Sequence, residues 1–177
     1  MKIETERLII IELNMDMAEA VHKNSLDWDN IRFVPDEVFY TIQEASNTIV
    51  YLIEQYDTLS WPLVYEIIIK KTGENIGYVQ IIPFEDKGLE IRYHIAKLYV
   101  DNGYATEAGN AFLPVITKKI GIDEVYRVCL KNNLAYNRVM IKCGFTNIFD
   151  GEGNYQGELR TIIKKFGKST DFINFRY

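Results

Sequence analysis

Residues 93–108 read YHIAKLYVDNGYATEA and combine a strand, a glycine-containing turn and the start of a helix. We predict that the strand ends at Ile95 and that the helix opens near Thr106. The glycine at position 103 lets backbone N–H groups come close to a bound group. The first turn of a helix adds unpaired N–H donors and the positive end of the helix dipole. The stretch therefore predicts an anion site, and a diphosphate is the natural ligand for such a turn.

The same residues carry a family resemblance. Residues 100–108, VDNGYATEA, resemble the pyrophosphate-binding loop of the GNAT superfamily of N-acetyltransferases, usually written Gln/Arg-x-x-Gly-x-Gly/Ala. Val100 lies at the Gln/Arg position, Gly103 at the first glycine and Ala105 at the second small residue. The ending GYATEA, and the opening ETERL at residues 4–8, are similar to the RimJ/RimL-type branch. The resemblance implies an acetyl-CoA site formed by Tyr93, Ile95, Val100, Asn102, Gly103, Tyr104, Ala105, Thr106 and Asn133.

A second motif begins at Asn133, where residues 133–145 read NLAYNRVMIKCGF. This run resembles the family pattern N-x-x-S/A-x-x-V-x-x-K-x-G-F. In such proteins the asparagine helps hold the pantetheine arm or a phosphate. The alternative is an asparagine that only caps an ordinary amphipathic helix. Its place after the phosphate loop favours the functional interpretation.

The order of elements predicts an α/β fold. Apolar periodicity and turn residues indicate the order β-α-α-β-β-β-α-β-α-β-β. The predicted strands span 3–13, 63–70, 75–82, 88–95, 124–130, 146–148 and 158–165, and the predicted helices span 15–24, 42–56, 106–119 and 134–143. This order matches the GNAT fold, with a mixed, mostly antiparallel central sheet of about seven strands flanked by helices. Pro114 should kink the third helix or end its first part.

Size and composition agree with one globular domain of 177 residues with 47% apolar content. We place the domain at 1–166 and an aromatic tail at 167–177. A net charge of −5 disfavours a nucleic-acid partner and mildly favours a cationic substrate. No apolar run is long enough for a membrane span, and the first residues do not resemble a signal peptide, so we expect a cytoplasmic protein. Cys129 and Cys143 have neither disulfide-framework nor zinc-site spacing, so no metal is expected.

The resemblance implies transfer of an acetyl group from acetyl-CoA to a primary amine by direct attack in a ternary complex. An amine with a lysine-like pKa must lose a proton before it attacks. Glu90 is the first candidate for the base, because several GNAT groups place a glutamate on this strand. Strand alternation puts Glu90, Arg92 and His94 on one face. Arg92 could instead make Glu90 a structural carboxylate, and His94 is a second candidate base.

Tyr136 is the candidate general acid. It lies where the RimL-type pattern often has serine, and a phenol can also donate a proton to a departing thiolate. The alternative is a tyrosine that covers the pantetheine channel or packs in the core. Other GNAT groups have a tyrosine where this chain has Met140, so that version is absent.

Two departures from the pattern weaken the loop. Val100 replaces Gln/Arg, and Asp101 adds a negative charge beside the expected diphosphate. Two like charges 4 Å apart repel by about 4 kcal/mol at an effective dielectric of about 20. Asp101 must therefore point outward or pair with a base such as Lys97, or the loop binds CoA weakly. These departures favour the alternative function of a GNAT-fold module that binds acyl-CoA without turnover. A generic nucleotide-binding domain is disfavoured because no GxGxxG or P-loop motif occurs.

The acceptor is not readable from this sequence. We expect a small-molecule amine or a protein N-terminal amine, no nucleic acid and no membrane partner, and either a monomer or a homodimer. The aromatic-rich segment Leu26–Tyr40 is interpreted as a wall of the acceptor site or as a hydrophobic lid over the sheet.

Overall fold

The computed structural model describes residues 1–84 and 88–172. Its described part contains an eight-stranded sheet in the order β1-β2-β3-β4-β5-β6-β8-β7. The strands are β1 Lys2–Glu4, β2 Leu8–Glu12, β3 Leu63–Ile69, β4 Asn75–Phe84, β5 Gly88–Ile95, β6 Glu124–Leu130, β7 Thr146–Tyr155 and β8 Glu158–Lys168. All neighbouring strands are antiparallel except β5 and β6. The predicted mixed, mostly antiparallel sheet is confirmed, with eight strands instead of about seven.

The extra strand comes from the start of the chain. The sequence predicts one strand over 3–13, but β1 and β2 form a hairpin around residues 5–7. Thr5 closes this turn, because its Oγ1 accepts a hydrogen bond from the backbone N–H of Leu8 at 2.8 Å. The sequence pattern does not predict this turn, because apolar residues lie on both sides of it and suggest one continuous strand.

The helices are α1 Ala18–Ser25, α2 Trp28–Phe33, α3 Ile42–Thr58, α4 Tyr104–Ile120, α5 Leu134–Lys142 and α6 Ser169–Phe172. The capping box of α3 is confirmed: Thr41 accepts from the backbone N–H of Glu44, whose carboxylate accepts from that of Thr41. The segment 26–40 contains α2 and a 3-10 turn, Pro35–Glu37, which the sequence pattern did not predict.

Helix α4 passes through Pro114 without ending, so the early end is wrong, and the kink, which was the other expected outcome, stays a prediction. Its inward face is fully buried on both sides of the proline, through Phe112, Leu113 and Ile116. Because most helical stability in proteins comes from such packing, the burial outweighs one missing backbone hydrogen bond.

Two layers of helices cover the central strands. Helices α4 and α5 pack on one face over the main core, which includes Tyr65, Ile91 and Met140. Helices α1 and α3 cover the other face, with Leu13, Ala18, Ile49, Leu52 and Val64 between them and the sheet. Strand β3 therefore lies between two apolar layers, and the buried carboxylate of Glu66 is the exception in its sequence LVYEIII.

Strands β5 and β6 separate shortly after they meet. Their parallel pairing consists of Glu90 opposite Tyr126. Strand β5 nevertheless continues to Ile95 along β4. Within the described part of the chain, the β6-facing edge of β5 beyond Glu90 therefore has no strand partner, and the gap opens towards α5.

The last hairpin is longer than predicted, because β7 reaches Tyr155 and β8 reaches Lys168. Gly167 and Lys168 are the last two residues of β8. Phe172 is buried against Phe145, with ring centroids 5.4 Å apart. The domain boundary at 166 stays a prediction, and the expected anchors Phe175 and Tyr177 lie outside the described residues.

Gly77 in β4 should tolerate no side chain. Its φ is +140°, and a Cβ there would lie 2.1 Å from the carbonyl oxygen of His94 on β5. We expect Gly77→Ala to lower the free energy of unfolding by about 3 kcal/mol or more, from backbone strain plus the clash. Urea denaturation measures this.

Gly73→Ala is the matched control, since Gly73 has a φ of +72° and a Cβ added there would meet no atom within 4 Å. It should cost only about 1 kcal/mol, for the left-handed backbone. Equal losses for the two variants would contradict the close approach of β4 and β5.

Candidate active site

A cavity of about 360 Å³ fills the gap between β5 and α5. Most residues predicted from the resemblance meet there. Its lining includes Tyr93, Ile95, Val100, Gly103, Tyr104, Ala105, Thr106, Asn133 and Tyr136. Asn102 and Glu90 do not line it. The free edge of β5, the glycine loop and the start of α5 therefore bound one space.

The loop at the mouth of the cavity has two residues in the left-handed region. Asp101 has a φ of 62° and Gly103 a φ of 79°. Helix α4 begins directly afterwards, at Tyr104, so the N–H groups of its first turn have no partner within the helix. Glycine adopts the left-handed region without a steric cost because it has no Cβ. The side chain of Asp101 therefore adds backbone strain at its position.

Contacts with the start of the chain hold the loop in place. The carboxylate of Glu107, in the first turn of α4, accepts from Thr5 Oγ1 at 2.5 Å and from Arg7 Nε at 2.7 Å. Arg7 also donates from Nη1 to the carbonyl oxygen of Asn102 at 3.0 Å, and its guanidinium lies 4.6 Å from the Tyr104 ring centroid. The ETERL segment thus supports the loop from behind.

Two polar side chains of the loop differ from expectation. The Asn102 amide donates to the carbonyl oxygens of Tyr99 and Val100 at 3.2 and 3.0 Å, so it shapes the loop instead of lining the cavity. Asp101 does line the mouth, but Lys97 ion-pairs with Asp29 at 3.1 Å and not with Asp101. The expected pair between Lys97 and Asp101 is therefore not formed.

Basic residues that the sequence analysis missed line the same cavity. Arg138 and Lys142 are exposed on α5, four residues apart, and so share one side of the helix. They add positive charge to the site that the glycine loop also lines. The spacing of four residues between Arg138 and Lys142 in the sequence NRVMIK could have predicted that both lie on one side of the helix.

Asn133 caps a helix and lines the cavity, and its predicted role in binding stays a prediction. Its Oδ1 accepts from the backbone N–H of Tyr136 at 3.1 Å, which caps α5, and the residue also lines the cavity.

Tyr136 is held between two other side chains. Its ring stacks on that of Tyr93, with centroids 4.2 Å apart and an interplanar angle of 14°. The Arg127 guanidinium lies 4.4 Å from the same ring. The hydroxyl is buried and has no hydrogen-bond partner among the described residues. Burial raises the pKa of this phenol, so at neutral pH the group is a proton donor.

The carboxylate of Glu90 is buried and hydrogen-bonded. Its side chain is buried, and Oε1 accepts from Arg127 Nη1 at 2.7 Å and from the backbone N–H of Val128 at 2.9 Å. Its Oε2 accepts from Arg92 Nε at 3.1 Å. Both carboxylate oxygens of Glu90 are therefore occupied by donors, two of which are charged guanidinium groups. The catalytic role predicted for Glu90 is untested, but these contacts disfavour it and fit the structural alternative.

His94, unlike Glu90, has a side-chain atom that is buried without a hydrogen-bond partner among the described residues. It is 8% exposed, and its Nε2 has no hydrogen-bond partner among the described residues. Burial lowers the pKa of the imidazole from 6.5, although Asp27 and Asp29 oppose the shift, so the ring is largely neutral at pH 7. A neutral ring nitrogen can accept a proton.

His94 also borders a second cavity of about 290 Å³ under α1 and α3. The two cavities share His94 and Tyr78. The segment 26–40 forms one side of the second cavity, through Asp36, Glu37 and Phe39. Glu37 fixes this segment to the sheet, because it accepts from the Tyr78 hydroxyl and, at 2.8 Å, from Gln80 Nε2. The segment is therefore a wall beside the junction of the two cavities.

A glycine loop at a helix start, beside the free edge of a parted sheet, is the arrangement of an acyl-CoA N-acyltransferase fold. The family described as acetyltransferase (GNAT) domain matches residues 7–146 of this chain. The chain belongs to this family and is an acyltransferase.

Three relatives illustrate the likeness. YnaD, an uncharacterized N-acetyltransferase of Bacillus subtilis (strain 168), is 26% identical over 145 residues, which are 81% of this chain and 82% of that protein. A GNAT-family acetyltransferase structure from Bacillus anthracis has a TM-score of 0.80 at 22% identity and covers 96% of this chain and 99% of its own. The RimL ribosomal L7/L12 alpha-N-protein acetyltransferase, solved with coenzyme A, has a TM-score of 0.80 at 17% identity, over 95% and 98% of the two chains. The two solved structures confirm the fold.

The described residues offer neither a metal cluster nor a membrane-spanning helix. No group of three or more His, Cys, Asp or Glu side chains there could hold a metal ion. No helix in residues 1–84 or 88–172 is long and apolar enough to cross a membrane.

Asp101 should weaken cofactor binding at the loop. We expect Asp101→Gly to tighten CoA binding about tenfold, or ~1.4 kcal/mol, because it removes a negative charge at the mouth of the cavity. Asp101→Asn should give a similar gain, since asparagine tolerates a positive φ without the charge. Calorimetric titration with CoA measures the affinities, and Asp57→Asn on exposed α3 is the control. An unchanged affinity in both Asp101 variants would show that the carboxylate does not act on the cofactor.

The ion pair of Glu90 and Arg127 should matter for stability. Glu90→Gln should lower the free energy of unfolding by about 3 kcal/mol or more, because it leaves the buried Arg127 without its carboxylate partner. Arg127→Met should cost less, because Glu90 keeps its ion pair with Arg92. The double variant should lose less than the sum of the single losses. Urea denaturation of the four proteins gives the coupling energy, and strictly additive losses would refute the pairing.

Proposed function

We propose that this chain is an acetyl-CoA-dependent N-acetyltransferase that acetylates a primary amine by direct attack in a ternary complex, acting in the cytoplasm. The observation that carries the proposal is the junction of the two cavities. The first cavity is lined by the residues expected to bind the donor. The second cavity is bordered by the segment 26–40, and His94 borders both cavities.

Several features of the first cavity fit acetyl-CoA. The first-turn N–H groups of α4, with Arg138 and Lys142, are suited to phosphate oxygens. The free edge of β5 up to Ile95 offers backbone groups to the amides of the pantetheine arm. The bound cosubstrate supplies an acetyl group activated as a thioester. Coenzyme A in the RimL structure supports the same donor for this chain.

Two side chains have settings that suit the proton transfers. Transfer forms an amide C–N bond and breaks the thioester C–S bond. His94 accepts the proton that the attacking amine loses, at its unpaired Nε2, and Tyr136 gives a proton to the leaving thiolate from its unpaired hydroxyl. Glu90 acts as a positioning residue: through Arg127 it supports the ring of Tyr136.

The test is a pair of variants, His94→Gln and Tyr136→Phe, assayed against a panel of amines. Each should lower kcat by about 100-fold, the usual contribution of a general acid or base. Acetyl-CoA affinity, measured by calorimetry, should stay unchanged. Tyr51→Phe, an exposed tyrosine of α3, is the control. In the unaltered protein kcat should rise with pH through an ionisation below 6.5, and His94→Gln should remove that step.

The results also decide between this proposal and binding without turnover. Tight binding of acetyl-CoA with no acetylation of any amine, including an N-terminal peptide amine, would favour a sensor or scaffold. Failure to bind acetyl-CoA at millimolar concentration would refute the donor site. Variants that retain full kcat would refute the roles of His94 and Tyr136.

A further inference from the structure

The second cavity contains a buried acid that has no cationic partner among the described residues. Glu66 lies in the apolar strand β3 and is 3% exposed. The described residues give its carboxylate one hydrogen bond, from Asn75 Nδ2 to Oε2 at 2.7 Å. Burying an ionised carboxylate without a counter-charge is costly. Burial accordingly raises the pKa of Glu66 to about 7, against the lowering effect of Asn75.

The donor to Glu66 is itself held in place. Asn75 Oδ1 accepts from Asn24 Nδ2 and from the backbone N–H of Gly77, both at 3.1 Å. The Asn75 amide group is thereby fixed with its N–H groups towards Glu66. The carboxylate oxygen Oε2 therefore has a fixed hydrogen-bond donor.

Glu66 lies in register with the proposed base. Glu66 is opposite Tyr78, and Tyr78 is opposite His94, on the neighbouring strands β3, β4 and β5. Because neighbouring strands are about 4.8 Å apart, the Cα atoms of Glu66 and His94 are separated by about 9.6 Å. All three side chains border the second cavity, and Tyr78 and His94 also border the first.

The charges around the second cavity have one sign. In the described part of the chain, its lining includes the carboxylates of Asp36, Glu37 and Glu66 and no lysine or arginine. Both oxygens of Glu37 are taken by neutral donors, Tyr78 and Gln80. His94, with Nε2 unpartnered, is the titratable nitrogen on the opposite side of Tyr78. Apolar side chains such as Ile49, Leu52 and Val64 form much of the remaining wall.

We propose, on the basis of the proposed function, that the acceptor is a diamine whose two amino groups are joined by an apolar spacer. One amine reaches His94 at the junction of the cavities and is acetylated after it loses its proton. The other stays an ammonium ion and pairs with Glu66, while the spacer lies along the apolar wall. A monoamine of equal length would leave Glu66 without a counter-charge once the reacting amine is neutral.

The test compares putrescine with butylamine, which has the same carbon chain but one amino group. At saturating acetyl-CoA, kcat/KM for putrescine should exceed that for butylamine by about tenfold or more, since a partly buried charge pair is worth at least ~1.4 kcal/mol. Glu66→Gln should bring the two values together by lowering the one for putrescine. Glu54→Gln, on the exposed side of α3, changes the net charge equally and should leave the ratio unchanged.

The inference and the proposed function can fail separately. Equal kcat/KM for the two amines, or a ratio that Glu66→Gln does not change, overturns the diamine site and leaves the acetyltransferase proposal standing. If neither amine is turned over, calorimetric titration of putrescine into the CoA-loaded protein decides. Binding that Glu66→Gln weakens about tenfold supports the site, and no binding overturns it. If acetyl-CoA does not bind, the proposed function fails, and the same titration of the CoA-free protein still tests Glu66.

Discussion

The ion pair between Glu90 and Arg127 is the interaction on which the site depends. It lies where β5 and β6 stop pairing, and the Glu90 carboxylate also accepts from the backbone N–H of Val128 on β6. The two strands are thus held together at one point and free beyond it. Arg127 in turn supports the ring of Tyr136, which stacks on Tyr93 across the gap. A buried charge pair is a costly way to stabilise a protein, so its use here fits a need to fix the position of the opening.

The junction at Tyr78 and His94 connects the two halves of the proposed reaction. The first cavity is lined by the loop, β5 and α5, and the second lies on the other face of the sheet under α1 and α3. His94 borders both cavities from β5, whose edge beyond Glu90 has no strand partner among the described residues, and Tyr78 borders both from the neighbouring strand β4. Glu37 completes the arrangement, because its bonds to Tyr78 and Gln80 fix the wall segment beside that junction.

The fold could be predicted well from the sequence, and the site in part. Strands such as 88–95 and the capping box at Thr41 are encoded by residues close in the chain, so their patterns were sufficient. The turn at Thr5 and the course of α4 through Pro114 depend on burial and on partners elsewhere in the fold. The setting of Glu90, the first candidate base, likewise depends on a distant partner. Its partner Arg127 is 37 residues away, and no local pattern shows that contact. His94 was named only as a second candidate, since the sequence does not reveal which polar group stays without a partner.

The hydrogen bonds from Thr5 and Arg7 to Glu107 have a consequence for folding. These contacts join residues about a hundred positions apart, with β3, β4 and β5 between them in the chain. Contacts of such long range form late, because closing a long loop costs entropy before the contact stabilises it. A chain in which these contacts have not formed would lack the support of the turn that contains Gly103. A ligand of that turn would therefore bind the complete fold selectively and shift the folding equilibrium towards it by mass action.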